Sequence, residues 1–499
     1  MSTVTAPPPP VGTRAVPPLA AAAGLVAGLV GVVQFVLSVP DGRWFDEVLM
    51  LAIGRHHLDW GSADQPPVAP LLAAAADAIA PDRQWVMRLP VVLASAGAVL
   101  LAALIARELG GDRRAQTLAA TAQATGIWAT LFGHWLTPYA LEPVQWLAIG
   151  WLLVRWVRTR DDRLLVALGL VVGIAAQTKF QVFGLCAALL VAVALCGPRT
   201  LLRRPLLWVG ALLAAAIAAP TLIWQAAHGW PQLAMGAVVA AEAGPLYGGR
   251  AGVAAATVVG AGLLGAPLGA YGLVRLLRTP DLRFLGVTTA VVALLVVLAP
   301  GRPYYLAGLY GLLAAAGAVG LQGRREAGRA RFRWVAWPAS ALAVALAAAV
   351  LHLSTALASP VVPDRIVAAT ATATATANAH DALPAPERDR TAIVGGSYIY
   401  AAYVDAAPRA LGLPPAASLN RSYGYFTPPS DDLDAALYVG PDPGVLRGSF
   451  AQVRRVGEIS GDGARGLGGE DLDTPVWLLT GRQEPWAAIW ERERTLVVS

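Results

Sequence analysis

Charge is scarce in this sequence. Asp, Glu, Lys and Arg make up only 14% of its 499 residues, against about 25% in a typical soluble domain. Hydrophobic residues make up 56%, and the mean hydropathy is +0.55. That balance excludes an ordinary soluble protein and points to a polytopic membrane protein with room for one extra domain. Lysine is almost missing: Lys179 is the only one, so the net charge of +6 rests on arginine. The excess does not call for nucleic acid, because cytoplasmic loops of membrane proteins collect arginine for topological reasons. The bias to Ala, Arg, Gly and Pro suggests a GC-rich genome. Cysteine is limited to Cys186 and Cys196 in one predicted helix. Ten residues of helix separate them by about 15 Å, beyond disulfide reach, so neither a disulfide nor a thiolate metal site is expected. A nucleotide-binding glycine fingerprint is also missing, since Gly395-Gly396 alone is too little.

What is present is long and apolar. Leu19–Val39 is long enough to span a bilayer. It lacks a convincing small-residue cleavage site and reads as a retained first span rather than a signal peptide. Ten apolar segments follow: Leu89–Leu109, Thr117–Leu136, Leu141–Val157, Leu164–Ala176, Val182–Cys196, Leu206–Ala227, Val253–Leu277, Val287–Leu298, Tyr304–Leu321 and Val335–Leu357. The length criterion thus predicts about eleven spans, with Pro220 and Pro267 as candidate kinks. Every second loop is rich in arginine: Arg107, Arg113 and Arg114; Arg155, Arg158, Arg160 and Arg163; Arg199, Arg203 and Arg204; Arg275, Arg278 and Arg283; then Arg324, Arg325, Arg329, Arg331 and Arg333. These loops are assigned to the cytoplasm, which puts the loop 40–88 and the chain after Leu357 outside.

The expected organisation is a disordered, Pro-rich 1–18, a membrane domain over 19–358, a solvated linker over 359–390 and a C-terminal domain over 391–499. The linker contains the low-complexity Ala-Thr repeat ATATATATANAH. In the last region TAIVGGSYIYAAYVDA, DAALYVGP, FAQVRRVGEI and TPVWLLTG read as short strands among turn residues. The predicted class is therefore mainly α, a polytopic membrane protein with a small extracytoplasmic α/β or α+β domain.

One polar loop, Asp41–Pro67, joins the first two spans with the sequence DGRWFDEVLMLAIGRHHLDWGSADQPP. Carboxylates this close to a bilayer are costly and read as functional by default; the bland alternative is a solvated interfacial loop. Asp46 and Glu47 are adjacent, so on a helix they point about 100° apart and cannot both face one atom. One can act while the other positions backbone, partner or metal. Asp64-Gln65-Pro66-Pro67 forms a second acidic site. Arg88 follows the loop and can pair with one of its carboxylates or with phosphate. Lys179, in AQTKFQ, and Arg302, in APGRPYYLAGLY, sit at predicted external turns, where the bland reading is a snorkelling cation. Lys179 stands out in a chain that otherwise uses arginine. Glu142, in TPYALEPVQW, opens the fourth span; an acid at a helix N-terminus is favoured by the dipole in any case. His56-His57 lacks a settled spacing of three or four metal ligands, and His134 and His228 carry no separate role.

The motif FDE-x-x-x-x-A-I-x-R-H followed by DQPP resembles the first external loop of membrane glycosyltransferases that use polyprenyl-phosphate sugars. This group contains the protein mannosyltransferases and the lipid A aminoarabinose transferases. RLPVVLASAGAVLLAALIARELGGDRRAQ, EPVQWLAIGWLLVRWVRTRDDRLLVALGLVVGIAAQTKF, IWQAAHGWPQL, GRPYYLAGLY and TPVWLLTGRQEPWAAIW extend the resemblance to the bacterial branch of glycosyltransferase family 39 over nearly the whole chain. It implies a GT-C fold, a polyprenyl-phosphate-linked sugar as donor, and an extracytoplasmic glycan, lipid or protein as acceptor. Asp46 takes the family's catalytic acidic place, and Lys179 and Arg302 become candidate contacts to donor phosphate. Tyr304 and Tyr305 match the tyrosine pair at the cavity edge, with Asp64, Gln65 and Glu142 as further cavity or acceptor residues. A carboxylate would accept the acceptor's proton, and the phosphate leaving group asks for cations rather than an acid. No cofactor is firm, and a divalent cation is left open. Two features depart from the family: Glu142 stands where Asp is common, and the turn at Lys179 lacks the usual Asn.

Two other classes compete. A transporter or lipid flippase would bury ionisable residues near the midplane between repeated halves, whereas here they cluster at one face and no internal repeat is seen. A catalytically silent GT-C scaffold would bind the lipid-linked sugar only; the intact Asp46 speaks against it and the altered position of Glu142 for it.

Overall fold

The computed structural model describes residues 16–40, 42–329, 333–459 and 474–498. Residues 1–15 of the stretch expected to be disordered lie outside the described residues. Pro17 and Pro18, at its end, are held through their carbonyls by Arg107 and Gln116. The first sixteen helices, in order, are α1 Ala21–Ser38, α2 Phe45–His56, α3 Val68–Ile79, α4 Gln84–Glu108, α5 Arg113–Ala124, α6 Ile127–Phe132, α7 Pro138–Thr159, α8 Arg163–Ala176, α9 Gln181–Cys196, α10 Pro205–Ala227, α11 Pro231–Tyr247, α12 Gly249–Gly260, α13 Gly262–Arg278, α14 Arg283–Leu298, α15 Ala307–Glu326 and α16 Ala336–Asp381.

Each of the eleven apolar segments falls on helix, and the structure is mostly helical, but the match to eleven unbroken spans is incomplete. Among the described residues, five helices are long and apolar enough to cross a membrane, or six if one bent pair is counted. That pair is α12 and α13, which turn by 100° where a single span over Val253–Leu277 was expected. The break falls at Gly262 rather than at Pro267, which lies inside α13. Gly262 has φ +79°, and a Cβ there would come within 2.5 Å of the Thr125 carbonyl, so both its conformation and its close neighbour require glycine. The segment Thr117–Leu136 is likewise divided between α5 and α6. Small residues let the helices approach: a Cβ on Gly169 of α8 would lie 2.1 Å from the Gly210 carbonyl of α10.

Ion pairs tie several arginine-rich loops together at one end of the bundle. Glu108 is met by Arg107, Arg155 and Arg158, Asp112 by Arg325, and Asp162 by Arg204.

The last helix of the bundle corrects the expected linker. α16 is 46 residues long and runs straight through the Ala-Thr repeat. Thr372, Ala373, Thr376 and Ala377 are buried, which a solvated spacer would not allow. Alanine favours helix, and the Thr376 hydroxyl is satisfied by the Thr372 carbonyl at 2.7 Å.

Beyond α17 Ala385–Arg388, a small sheet domain is built from β1 Thr391–Gly395, α18 Tyr398–Asp405, β2 Ala416–Ser418, β3 Ala435–Val439, α19 Gly444–Arg447, β4 Phe450–Ile459, β5 Thr474–Arg482 and α20 Trp486–Glu493. The strand order is β2-β1-β3-β5-β4. β1 pairs parallel with β2 and β3, while β5 pairs antiparallel with β3 and β4. The second half of TAIVGGSYIYAAYVDA is helix α18 rather than strand. The sheet and the loop 40–88 share a core: Val48–Ile53 of α2 pack in one cluster with Tyr398, Tyr403, Leu437 and Leu478. A helix that is apolar on every side has to be enclosed, and α2 is enclosed between α3 and α18.

Candidate active site

The adjacent carboxylates of α2 have separate fates, as their angular offset requires. Glu47 is fully buried and closed in a fork with Arg88, whose Nη2 and Nε lie 2.7 and 3.0 Å from its two oxygens. The Leu136 amide adds a third donor at 3.0 Å, and the remaining Arg88 donors go to the Ser38 and Gly42 carbonyls. Of the alternatives the sequence leaves open, Glu47 takes the positioning one, and Arg88 pairs with a loop carboxylate. Asp46 instead faces Tyr139, whose hydroxyl donates to it at 3.1 Å, and that hydroxyl accepts the Trp44 indole N–H at 2.8 Å. Asp46 is half-buried. Burial raises its carboxyl to about 6, with Tyr139 opposing and the charge of Asp64 reinforcing the shift.

Lys179 approaches from the other side of Tyr139. It ends the tight turn after α8, held by its own amide on the Ala175 carbonyl at 2.8 Å. Thr178 beside it accepts from Gln145 of α7 at 2.7 Å. Its ammonium makes no ion pair among the described residues. It lies in an aromatic cage, 4.3 Å from the Tyr305 ring centroid, 5.0 Å from Tyr304 and 5.7 Å from Tyr139, an arrangement that suits a cation. Glu142 is buried one turn along α7 from Tyr139, and its Oε1 has no hydrogen-bond partner among the described residues. Tyr139, Glu142 and Gln145 share one helix face by their three-residue spacing.

Asp64 and Gln65 form a turn in which Ser62 bonds the Gln65 carbonyl and amide. Asp64 accepts the Ser422 hydroxyl of the C-terminal domain; burial raises its pKa, with Ser422 and Arg421 opposing. The Val68 amide donates to the Gln177 carbonyl at 3.0 Å, which sets the DQPP segment against the Lys179 turn. Arg302 is already paired with Glu242 of α11, and the same carboxylate takes Arg421 from the C-terminal domain. His57 stacks on Phe426 and bonds Asp405 at 3.0 Å. Among the described residues no group of three His, Cys, Asp or Glu side chains is arranged to hold a metal ion.

The structure thus brings Asp46, Lys179, Glu142, Tyr304 and Tyr305 around one centre and sends Glu47 and Arg88 elsewhere. Sequence reasoning missed Tyr139, which joins the two charges. Its signal was the i, i+3 spacing to Glu142. Glu242 and Arg421 carried no signal, because their pairing depends on how the C-terminal domain docks.

Residues 64–224 match the model of the dolichyl-phosphate-mannose-protein mannosyltransferase family, a stretch that includes Glu142 and Lys179 and begins after Asp46. No curated protein sequence matches the chain. Among solved structures, ArnT from Cupriavidus metallidurans in the apo state is 14% identical, with a TM-score of 0.59 over 91% of this chain and 97% of that one. The same protein bound to undecaprenyl phosphate is 15% identical, with a TM-score of 0.57 over the same shares. The archaeal oligosaccharyltransferase AglB from Archaeoglobus fulgidus is 13% identical, with a TM-score of 0.46 over 77% of this chain and 63% of that one. The fold is the ArnT-like GT-C fold of a multi-pass membrane protein, and the resemblance to GT-C membrane glycosyltransferases is borne out by that fold and by the family match over residues 64–224.

Proposed function

We propose that this protein is an integral-membrane glycosyltransferase. It moves a sugar from a polyprenyl-phosphate donor to an acceptor hydroxyl or amine on a glycan, lipid or protein at the extracytoplasmic face. The observation that carries the reading is the pairing across Tyr139: a carboxylate with a raised pKa on one side and, on the other, an ammonium that makes no ion pair among the described residues. Asp46 accepts the acceptor's proton as its heteroatom attacks the anomeric carbon. The bond from that carbon to the phosphate oxygen breaks, and its electron pair stays on the phosphate. Lys179 leaves its tyrosine cage to meet the growing negative charge. Glu142 is a buried carboxyl whose charge favours the ammonium form of Lys179 against the cost of burial. In this reading all eleven apolar segments contribute to the membrane domain, and the C-terminal domain is extracytoplasmic.

A strain lacking the protein should accumulate one lipid-linked sugar, and the purified protein in lipid should consume that species. If nothing accumulates and no polyprenyl-phosphate sugar is consumed, the proposal fails. For the topology, a reporter active only in the cytoplasm and fused after Ser499 should stay silent; strong activity would reverse the orientation.

A further inference from the structure

The resemblance implies a phosphate contact for Arg302, but it leaves unexplained the second buried guanidinium, Arg421, and the carboxylate that joins the two. Arg302 heads the turn that carries Tyr304 and Tyr305, and Arg421 lies in the C-terminal domain. Glu242 holds both, Arg302 on one oxygen and Arg421 on the other. One carboxylate between two guanidiniums leaves a positive charge in excess, and it leaves donors over. Arg302 Nη1 and Arg421 Nε are buried without a hydrogen-bond partner among the described residues. Arg421 is only 9% exposed. Its Nη1 rests on the Met235 sulfur at 2.8 Å, a weak acceptor, and its backbone has φ +53°, which a non-glycine residue rarely adopts. Buried charged donors left without acceptors are costly, and an anion with several oxygens would satisfy them better than one carboxylate does.

The cluster is continuous with the site. The Tyr305 amide bonds the Arg302 carbonyl at 3.1 Å, and the Tyr305 ring supports the Lys179 ammonium. On the other side Ser422, next to Arg421, bonds Asp64 and Ser62 of the first loop. A phosphate offers several oxygens to planar guanidinium forks, and the head of a polyprenyl phosphate gains a second negative charge once its sugar has left. We propose that Arg421 adds a second guanidinium to the phosphate contact expected of Arg302, and that Glu242 holds the pair as a stand-in anion until a phosphate displaces it. The lipid phosphate displaces Glu242, so that a residue of the C-terminal domain grips the leaving group. This inference rests on the polyprenyl-phosphate reading above.

The test is equilibrium binding of undecaprenyl phosphate to the full-length protein in lipid nanodiscs, with undecaprenol as the uncharged control. Arg421→Gln should weaken undecaprenyl phosphate about tenfold and leave undecaprenol unchanged, Arg421→Lys should recover part of the loss, and Glu242→Gln should tighten the phosphate lipid severalfold. Unchanged phosphate binding in Arg421→Gln would overturn the inference. So would an equal loss of undecaprenol, which would mark a structural role, or weaker binding in Glu242→Gln. A wild-type protein that does not prefer undecaprenyl phosphate to undecaprenol would instead sink the donor reading itself.

Discussion

The two ends of α7 treat charge in opposite ways. Near its C-terminus Arg155 and Arg158 close on Glu108, which Arg107 also reaches, and the neighbouring loops are tied by Asp112 with Arg325 and Asp162 with Arg204. Near its N-terminus, Glu142 keeps a buried oxygen without a partner among the described residues, and Lys179 lies against tyrosine rings. Asp46 has phenol and indole donors but, among the described residues, no cation in contact. Isolated charges in a low-dielectric setting are expensive, so an end that leaves them unpaired has a use for them. The same contrast recurs within one turn of α2, where Glu47 is neutralised by Arg88 and Asp46 is not.

The largest effect is expected at Asp46. Asp46→Asn keeps the hydrogen bond and removes the base, so turnover should fall by about 10²–10⁴-fold while the protein still inserts and binds donor lipid. Near-normal turnover of the purified variant would remove Asp46 from the chemistry. In the wild type, kcat/KM should be flat above about pH 6 and fall below it, because the raised pKa of Asp46 protonates the base there; a profile flat to pH 5 would contradict its role.

Glu47→Gln should fail in a different way. It leaves Arg88 buried and half-answered, which costs about 3–5 kcal/mol of stability, read as a lower melting temperature. Replacing both partners with apolar residues of similar volume should recover much of that loss. If Glu47→Gln melts like the wild type and loses only turnover, the division between the two carboxylates is wrong.

Lys179→Met should weaken donor binding roughly tenfold to a hundredfold, the range for a lost charged hydrogen bond, with a smaller effect on the acceptor. An equal rise in both Michaelis constants would make Lys179 an anchor only. The smallest effect on turnover is expected at the saturated end: Glu108→Gln should leave it within about twofold and cost about 1–3 kcal/mol of stability. A large loss of turnover with an unchanged melting curve would show that the two ends are coupled.

Much of this was legible in the sequence because it follows from local chemistry. Low charge, apolar lengths and alternating arginines determine a polytopic helical protein, and a lone lysine among arginines marks the turn that the structure places under Tyr139. The angular offset of neighbouring helical residues already meant that Asp46 and Glu47 could not share a task. Which of the two was free depended on Arg88, the Ser38 carbonyl and the Leu136 amide, three groups that meet only in the folded chain. The Ala-Thr repeat misled for a related reason: its composition permits helix or coil, and packing against α18 and the sheet selects helix. Of the Arg302–Glu242–Arg421 cluster only Arg302 was legible; Glu242 and Arg421 had no sequence signal, since they come from separate elements. Sequence sets propensity and hydrophobic length; only tertiary packing decides which buried charges find partners, because that depends on what comes within a few ångströms in three dimensions.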